Sequence, residues 1–176
     1  MVAVLRGINV GGKRKILMAD LKLLFAGIGF TDVVTYIQSG NVIFNADQPW
    51  SNLEIGNKIE QAIADKYGFE VPVIVRSAQE LEHIVNNNPF DKGEIGINQL
   101  HLTFLKDIPS SDNRLKAESY NFEPDQFVID KNDVFLCIKG KYHQTKLSNH
   151  FFESKLKVPA TTRNWKTVLK LLELSG

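Results

Sequence analysis

Two periodicities share this chain. Val2 to Leu5 is a short unbroken apolar run, the length of a buried strand, and it ends at Arg6. Leu21, Leu24, Phe25 and Ile28 then fall at i, i+3, i+4 and i+7, which predicts a helix stopped by Gly29. Val33 to Gln38 and Asn41 to Phe44 read as strands joined by a tight hairpin at Ser39-Gly40. Ser51 and Glu54 form a capping box for a helix whose buried face is Ile55, Ile59, Ala62 and Ile63, and Glu70 to Val75 follows as a strand. The order β-α-β-β-α-β predicts a ferredoxin-like unit, an antiparallel sheet with both helices on one face.

Ser77 and Glu80 make a second capping box before Leu81, Ile84 and Val85, a short helix. The stretch from Asn86 to Asn98 is polar and rich in Asn and Gly, and it predicts a linker. Beyond it, Leu100 to Leu105 is strand-like, Pro109 and Ser110 open a polar helix, and Phe127 to Asp130 pairs with Asp133 to Ile138 as a hairpin. At an offset of 92 that hairpin lies over the first, with Gly40 matching Asn132, two residue types that tolerate left-handed turns. The expected organisation is α+β by internal duplication: a half over 1–88, a linker over 89–98, and an imperfect half over 99–176. No fourth strand is expected in the second half. Ser148 to Leu156 and the run through Trp165, Val168, Leu169 and Leu172 read instead as two closing helices.

The first loop carries the most distinctive chemistry. Gly7 to Lys13 fits the G-x-x-x-x-G-K part of a phosphate-binding loop, but Arg14 stands where that motif needs a Ser or Thr for Mg²⁺. The helix also starts too late to point its N–H groups at a phosphate. A glycine-rich, basic connection that binds an anion in another way is the remaining functional reading.

Charge adds a second clue. The chain of 176 residues is close to neutral at +1, yet residues 1–22 carry five cations against one acid and 139–176 carry eight against two. The middle, with eight against seventeen, is acidic. Basic ends suit a phosphorylated small molecule, a nucleotide or a nucleic acid. One cysteine, Cys137 in an apolar run, rules out a disulfide framework and a thiolate zinc site. No apolar stretch approaches the roughly 20 residues of a membrane span, so a cytoplasmic protein without a membrane partner is expected.

Four segments, Arg6 to Lys13, Tyr36 to Val42, Asn88 to Phe90 and Ala160 to Trp165, resemble the signature segments of the bacterial domain-of-unknown-function family numbered 1697. The resemblance spans nearly the whole chain. It implies an α+β fold of two related ferredoxin-like halves, and it implies no activity.

The residues in those segments are mostly Gly, Asn, Gln, Ser, Thr and Arg, which hold ligands better than they move protons. Thr161 or Thr162 is read as the cap of the last helix, with Arg163 and Lys166 in its first turn inviting an anion. The expected ligand-binding set is Arg6, Asn9, Gly11, Gly12, Lys13, Lys146, Thr162, Arg163 and Asn164. The ligand expected is anionic, phosphorylated or nucleotide-like, held by a non-catalytic module. An enzyme on a phosphorylated substrate and a protein-binding module, such as a homodimer formed through a sheet edge, are the alternatives. No recognisable catalytic motif, metal ligand spacing or cofactor fingerprint occurs, and the RNP pattern of an RNA-binding sheet is absent.

Overall fold

The structure, a computed structural model, describes residues 1–90, 93 and 95–176. The expected linker over 89–98 includes 91, 92 and 94, which lie outside the described residues. The chain divides into two compact units, Met1–Glu82 with Leu171–Gly176, and His83–Lys170.

In the first unit, β1 (Val2–Leu5), β2 (Thr31–Tyr36), β3 (Asn41–Asn45) and β4 (Val73–Arg76) form a sheet in the order β2-β3-β1-β4. All neighbours are antiparallel, with Ala3 opposite Val42 and Val75. Two helices, α1 (Met18–Gly27) and α2 (Asn52–Tyr67), cover one face. Leu21, Phe25, Ile59 and Ile63 interdigitate there with Leu5, Val42 and Phe44. The Ser51–Glu54 capping box forms as expected, and so does the one at Ser77 and Glu80, which opens α3 (Ala78–Asn86). The β2–β3 connection is longer than a two-residue hairpin. It occupies residues 37–40, with Ile37 and Gly40 both at positive φ.

The second unit repeats that plan. Its strands are β5 (Leu100–Leu105), β6 (Gln126–Asp130), β7 (Asp133–Cys137) and β8 (Ala160–Asn164), in the order β6-β7-β5-β8. The helices are α4 (Ser111–Glu118), α5 (Asn149–Leu156) and α6 (Trp165–Ser175), and α6 ends in the first unit's portion of the chain. Leu105, Leu136, Ile138, Phe152 and Leu156 build the core between sheet and helices.

β8 corrects the sequence-based expectation. Residues 160–164 are not the opening of the last helix; they form a fourth strand before it, with Thr103 opposite Thr162 and Leu102 opposite Arg163. Ala-Thr-Thr-Arg-Asn carries no apolar alternation, so the period-2 signal is silent. Its β-branched threonines are nevertheless good strand residues. The last helix is capped by Asn164, whose Oδ1 accepts from the Thr167 N–H at 2.8 Å, not by Thr161 or Thr162. Arg163 is therefore a strand residue outside the helix's first turn.

Candidate functional site

Residues 6–17 leave β1 and return to α1 as a small projecting hairpin. Ile8 and Ile16 are buried and anchor its base. Between them the Asn9 side chain uses both ends of its amide. Its Oδ1 accepts from the Ile16 N–H at 2.9 Å, and its Nδ2 donates to the carbonyls of Ile16 at 3.0 Å and Gln38 at 2.9 Å. Asn9 thus staples the hairpin to the β2–β3 connection. It does so from a left-handed backbone (φ 57°), which asparagine tolerates better than most residues.

The tip is a turn. The Lys13 N–H donates to the Val10 carbonyl at 3.1 Å, and Gly11 and Gly12 both sit at positive φ (59° and 74°), the pattern of a type I′ turn. The glycines make this reversal; they do not wrap a phosphate as in a nucleotide-binding loop. A Cβ at either would meet nothing within 4 Å, so the tip stands clear of the body. Lys13, Arg14 and Lys15 are all exposed, and no carboxylate among the described residues pairs with any of them. Arg14, at φ 48°, lays its Nη1 3.6 Å from where a Cβ on Gly7 would be.

Beside the hairpin lies a cleft of about 250 Å³ lined by Asn9, Gly12, Lys15, Ile16, Leu17 and Gln38. Leu17 is the N-cap position of α1 and has no polar side chain, so the first-turn N–H groups at Met18, Ala19 and Asp20 receive no side-chain cap. Lys15 and the uncapped start of α1 at Leu17 face the same cleft. Lys15 is its one titratable wall residue, which suits holding an anion rather than proton transfer.

Five of the nine expected site residues lie in this loop: Arg6, Asn9, Gly11, Gly12 and Lys13. Arg6 is half-buried, and its N–H donates to the Pro72 carbonyl at 2.9 Å. Arg14 in the same loop, and Lys15, Leu17 and Gln38 on the cleft wall, stand outside the expected set. The basic run marks the first two, but only the Asn9–Gln38 contact shows which residues share a cleft.

The other four belong to the second unit. Thr162 Oγ1 lies 2.7 Å from Thr103 Oγ1 and 2.7 Å from Asn149 Oδ1, a polar chain between β5, β8 and the start of α5. Arg163 is 9% exposed, and its Nη1 donates to Thr161 Oγ1 and the Thr162 carbonyl, each at 3.0 Å. Burial pulls its guanidinium down to about 10, with Tyr142 acting the other way, so it stays protonated at neutral pH. Asn164 is exposed apart from its capping bond, and Lys146 is exposed in a loop held by Asp125, whose carboxylate accepts from the Lys139 N–H and the Thr145 hydroxyl. Nearby, His101 stacks on Tyr142 with ring centroids 4.7 Å apart, and burial lowers its pKa.

Base stacking on the first sheet has no platform. Phe44 is 1% exposed and packed among Phe25 and Phe30, while Val2, Val4, Ile43 and Ile74 on the opposite face are buried as well. Among the described residues no three His, Cys, Asp or Glu side chains cluster to hold a metal. No helix among the described residues is long and apolar enough to cross a membrane.

A family model described as "Protein of unknown function (DUF1697)" matches residues 1–135. Among solved structures, the chain is similar to that of a conserved bacterial protein, SP0830 from Streptococcus pneumoniae. The likeness has a TM-score of 0.74 at 25% identity, over 99% of this chain and 97% of that one. No curated protein matches.

Proposed function

Since the chain belongs to the DUF1697 family, whose description carries no activity, we propose from its own geometry that it is a binding module for an anionic, phosphorylated ligand held at the 6–17 hairpin. The observation that carries this is the set Lys13, Arg14 and Lys15, three adjacent cations with no acidic partner among the described residues, on a hairpin fixed by Asn9. A positive cluster left uncompensated on a rigid element repels itself, and a bound anion relieves that. The uncapped start of α1 at the same cleft supports the reading, because its free N–H groups and dipole favour negative charge.

Binding without catalysis is favoured over an enzyme by the cleft wall, where Lys15 is flanked by two amides, a glycine and two aliphatic residues. A cytoplasmic site of action is part of the proposal. So is an origin by internal duplication, supported by the matched strand orders and by one shared bond. Leu5 donates to the Gly40 carbonyl, and Leu105 donates to that of Asn132, the pair related by the offset of 92.

The test is thermal unfolding of the wild type and of Lys15→Ala against inorganic phosphate, nucleotides, sugar phosphates and short RNA. A ligand at about 100 times its dissociation constant adds roughly 2.7 kcal/mol and raises the midpoint by several degrees. A shift in wild type that shrinks in Lys15→Ala supports the reading. Equal shifts in both proteins, or none with any compound, would overturn it.

A further inference from the structure

The outward side of α1 is unusual for a surface helix. Its inner face, Leu21, Leu24 and Phe25, is buried in the core. Ala19, Lys22, Leu23, Ala26 and Gly27 are exposed and fall on the opposite side at i, i+3, i+4, i+7 and i+8. Lys22 is the one polar group among them. Leu23 is 67% exposed, and Leu17, just before the helix, is 71% exposed; Val10 at the hairpin tip is 65% exposed. Large aliphatic side chains therefore stand in water on the elements that carry Lys13, Arg14, Lys15 and Lys22. Residues 6–27 carry one acid, Asp20, half-buried on the flank of α1; of the neighbouring elements, β2 adds Asp32, whose carboxylate accepts from Asn45 at 2.8 Å, and α2 balances Glu54, Glu60 and Asp65 with Lys58 and Lys66.

We infer that this combined apolar and basic surface docks on an anionic lipid bilayer, the cations engaging headgroup phosphates while Val10, Leu17 and Leu23 enter the acyl boundary. The inference rests on the anion-binding reading of the hairpin and names a partner for it. Charge complementarity selects this occupant. A second copy docking by two-fold symmetry would press the face against itself and bring both sets of cations together. Nucleic acid would satisfy the cations, but the surface has no aromatic ring to stack on a base, and its leucines would be desolvated to no purpose. An anionic bilayer meets both halves of the surface at once. The absence of a spanning segment, on which the expectation of no membrane partner rests, does not bear on binding from the side.

The test is co-sedimentation with vesicles of phosphatidylcholine alone and of phosphatidylcholine mixed with phosphatidylglycerol. It uses wild type, Lys13→Ala/Lys15→Ala, and the neutral pair Val10→Ser/Leu23→Ser, which leaves the start of α1 uncapped, with folding checked by circular dichroism. A Leu23→Cys variant carrying a polarity-sensitive dye reports depth, since Cys137 is buried. The expected result is binding to mixed vesicles only, weakened about fivefold for each cation removed, hence about 25-fold for the lysine pair. The serine pair should also weaken binding, and the dye should shift to the blue. Binding that survives the serine substitutions with no dye shift would be adsorption by charge alone and would overturn the inference. So would a wild-type dimer in solution that Leu23→Ser dissolves, or no vesicle binding at all. If vesicles fail while phosphate still raises the unfolding midpoint through Lys15, only this inference falls. If neither responds, the anion-binding reading falls with it.

Discussion

Arg76 and Arg163 occupy the same place in their two sheets. Arg76 lies opposite Val2, three residues before Leu5, and Arg163 lies opposite Leu102, three residues before Leu105. Each Nη1 donates to the carbonyl of the residue before it, Val75 at 2.9 Å and Thr162 at 3.0 Å. Both are buried, at 2% and 9% exposure. A guanidinium taken out of water on two equivalent strands is a packed structural element, even though the buried Arg76 Nε finds no hydrogen-bond partner among the described residues.

Arg163→Ala should therefore destabilise the protein by about 2 to 4 kcal/mol, through lost packing and lost hydrogen bonds. Arg163→Lys keeps the charge but not the planar fork, and should recover only part of that. Urea unfolding of both variants decides. Equal stability of Arg163→Ala and wild type would show that the side chain contributes nothing to the fold.

The hairpin gives a second prediction. Asn9→Ala loses three hydrogen bonds and keeps the cost of a left-handed backbone, for about 2 to 3 kcal/mol. Asn9→Gly loses the same bonds but relaxes φ, and should be the milder change. Hydrogen exchange should show faster exchange at the Ile16 amide in both. Unchanged protection at Ile16 would mean the staple is not what fixes the loop.

Much of the fold is legible in the sequence, and the misses share one cause. Helices whose inner face is apolar, such as α2 with Ile55, Ile59 and Ile63, announce themselves, and so do the capping boxes at Ser51 and Ser77. β8 does not, because Thr161, Thr162 and Arg163 look polar although Thr161 and Arg163 are buried in pairing with β5. The same gap separates the basic run at 13–15, visible at once, from the cleft beside it. Gln38 lines that cleft from a segment 29 residues away from Asn9, and only the fold joins them.

Gly40 tests close packing. It sits at φ 79°, and a Cβ there would come within 2.8 Å of Ile8 Cδ1 and of Leu5 Cβ. Gly40→Ala should cost more than about 2 kcal/mol, from strain and overpacking together. Gly11→Ala, with open space around it, should cost about 1 kcal/mol, from backbone conformation alone. Midpoints in a single denaturant series compare them, and an inverted order would contradict the packing at Ile8.

His101 predicts a pH dependence. Burial lowers its pKa from the ordinary 6.5, with the Gln99 carbonyl acting the other way. Its neutral form is the one the fold accommodates, so the unfolded chain takes up the proton first. The stability it contributes is complete above about pH 6.5 and is lost as pH falls below that value toward the lower folded pKa. Thermal midpoints measured downward from neutral pH should fall less steeply in His101→Gln than in wild type. Parallel curves would assign the acid sensitivity elsewhere.

The Asn9 amide also has a kinetic consequence. By joining the first loop to residue 38 it leaves few backbone torsions to be frozen when something docks. Recognition of the proposed anion at this tip would then resemble a key cut in advance. Encounter rather than rearrangement would set the association rate, and differences among ligands would be expressed in how long each one stays.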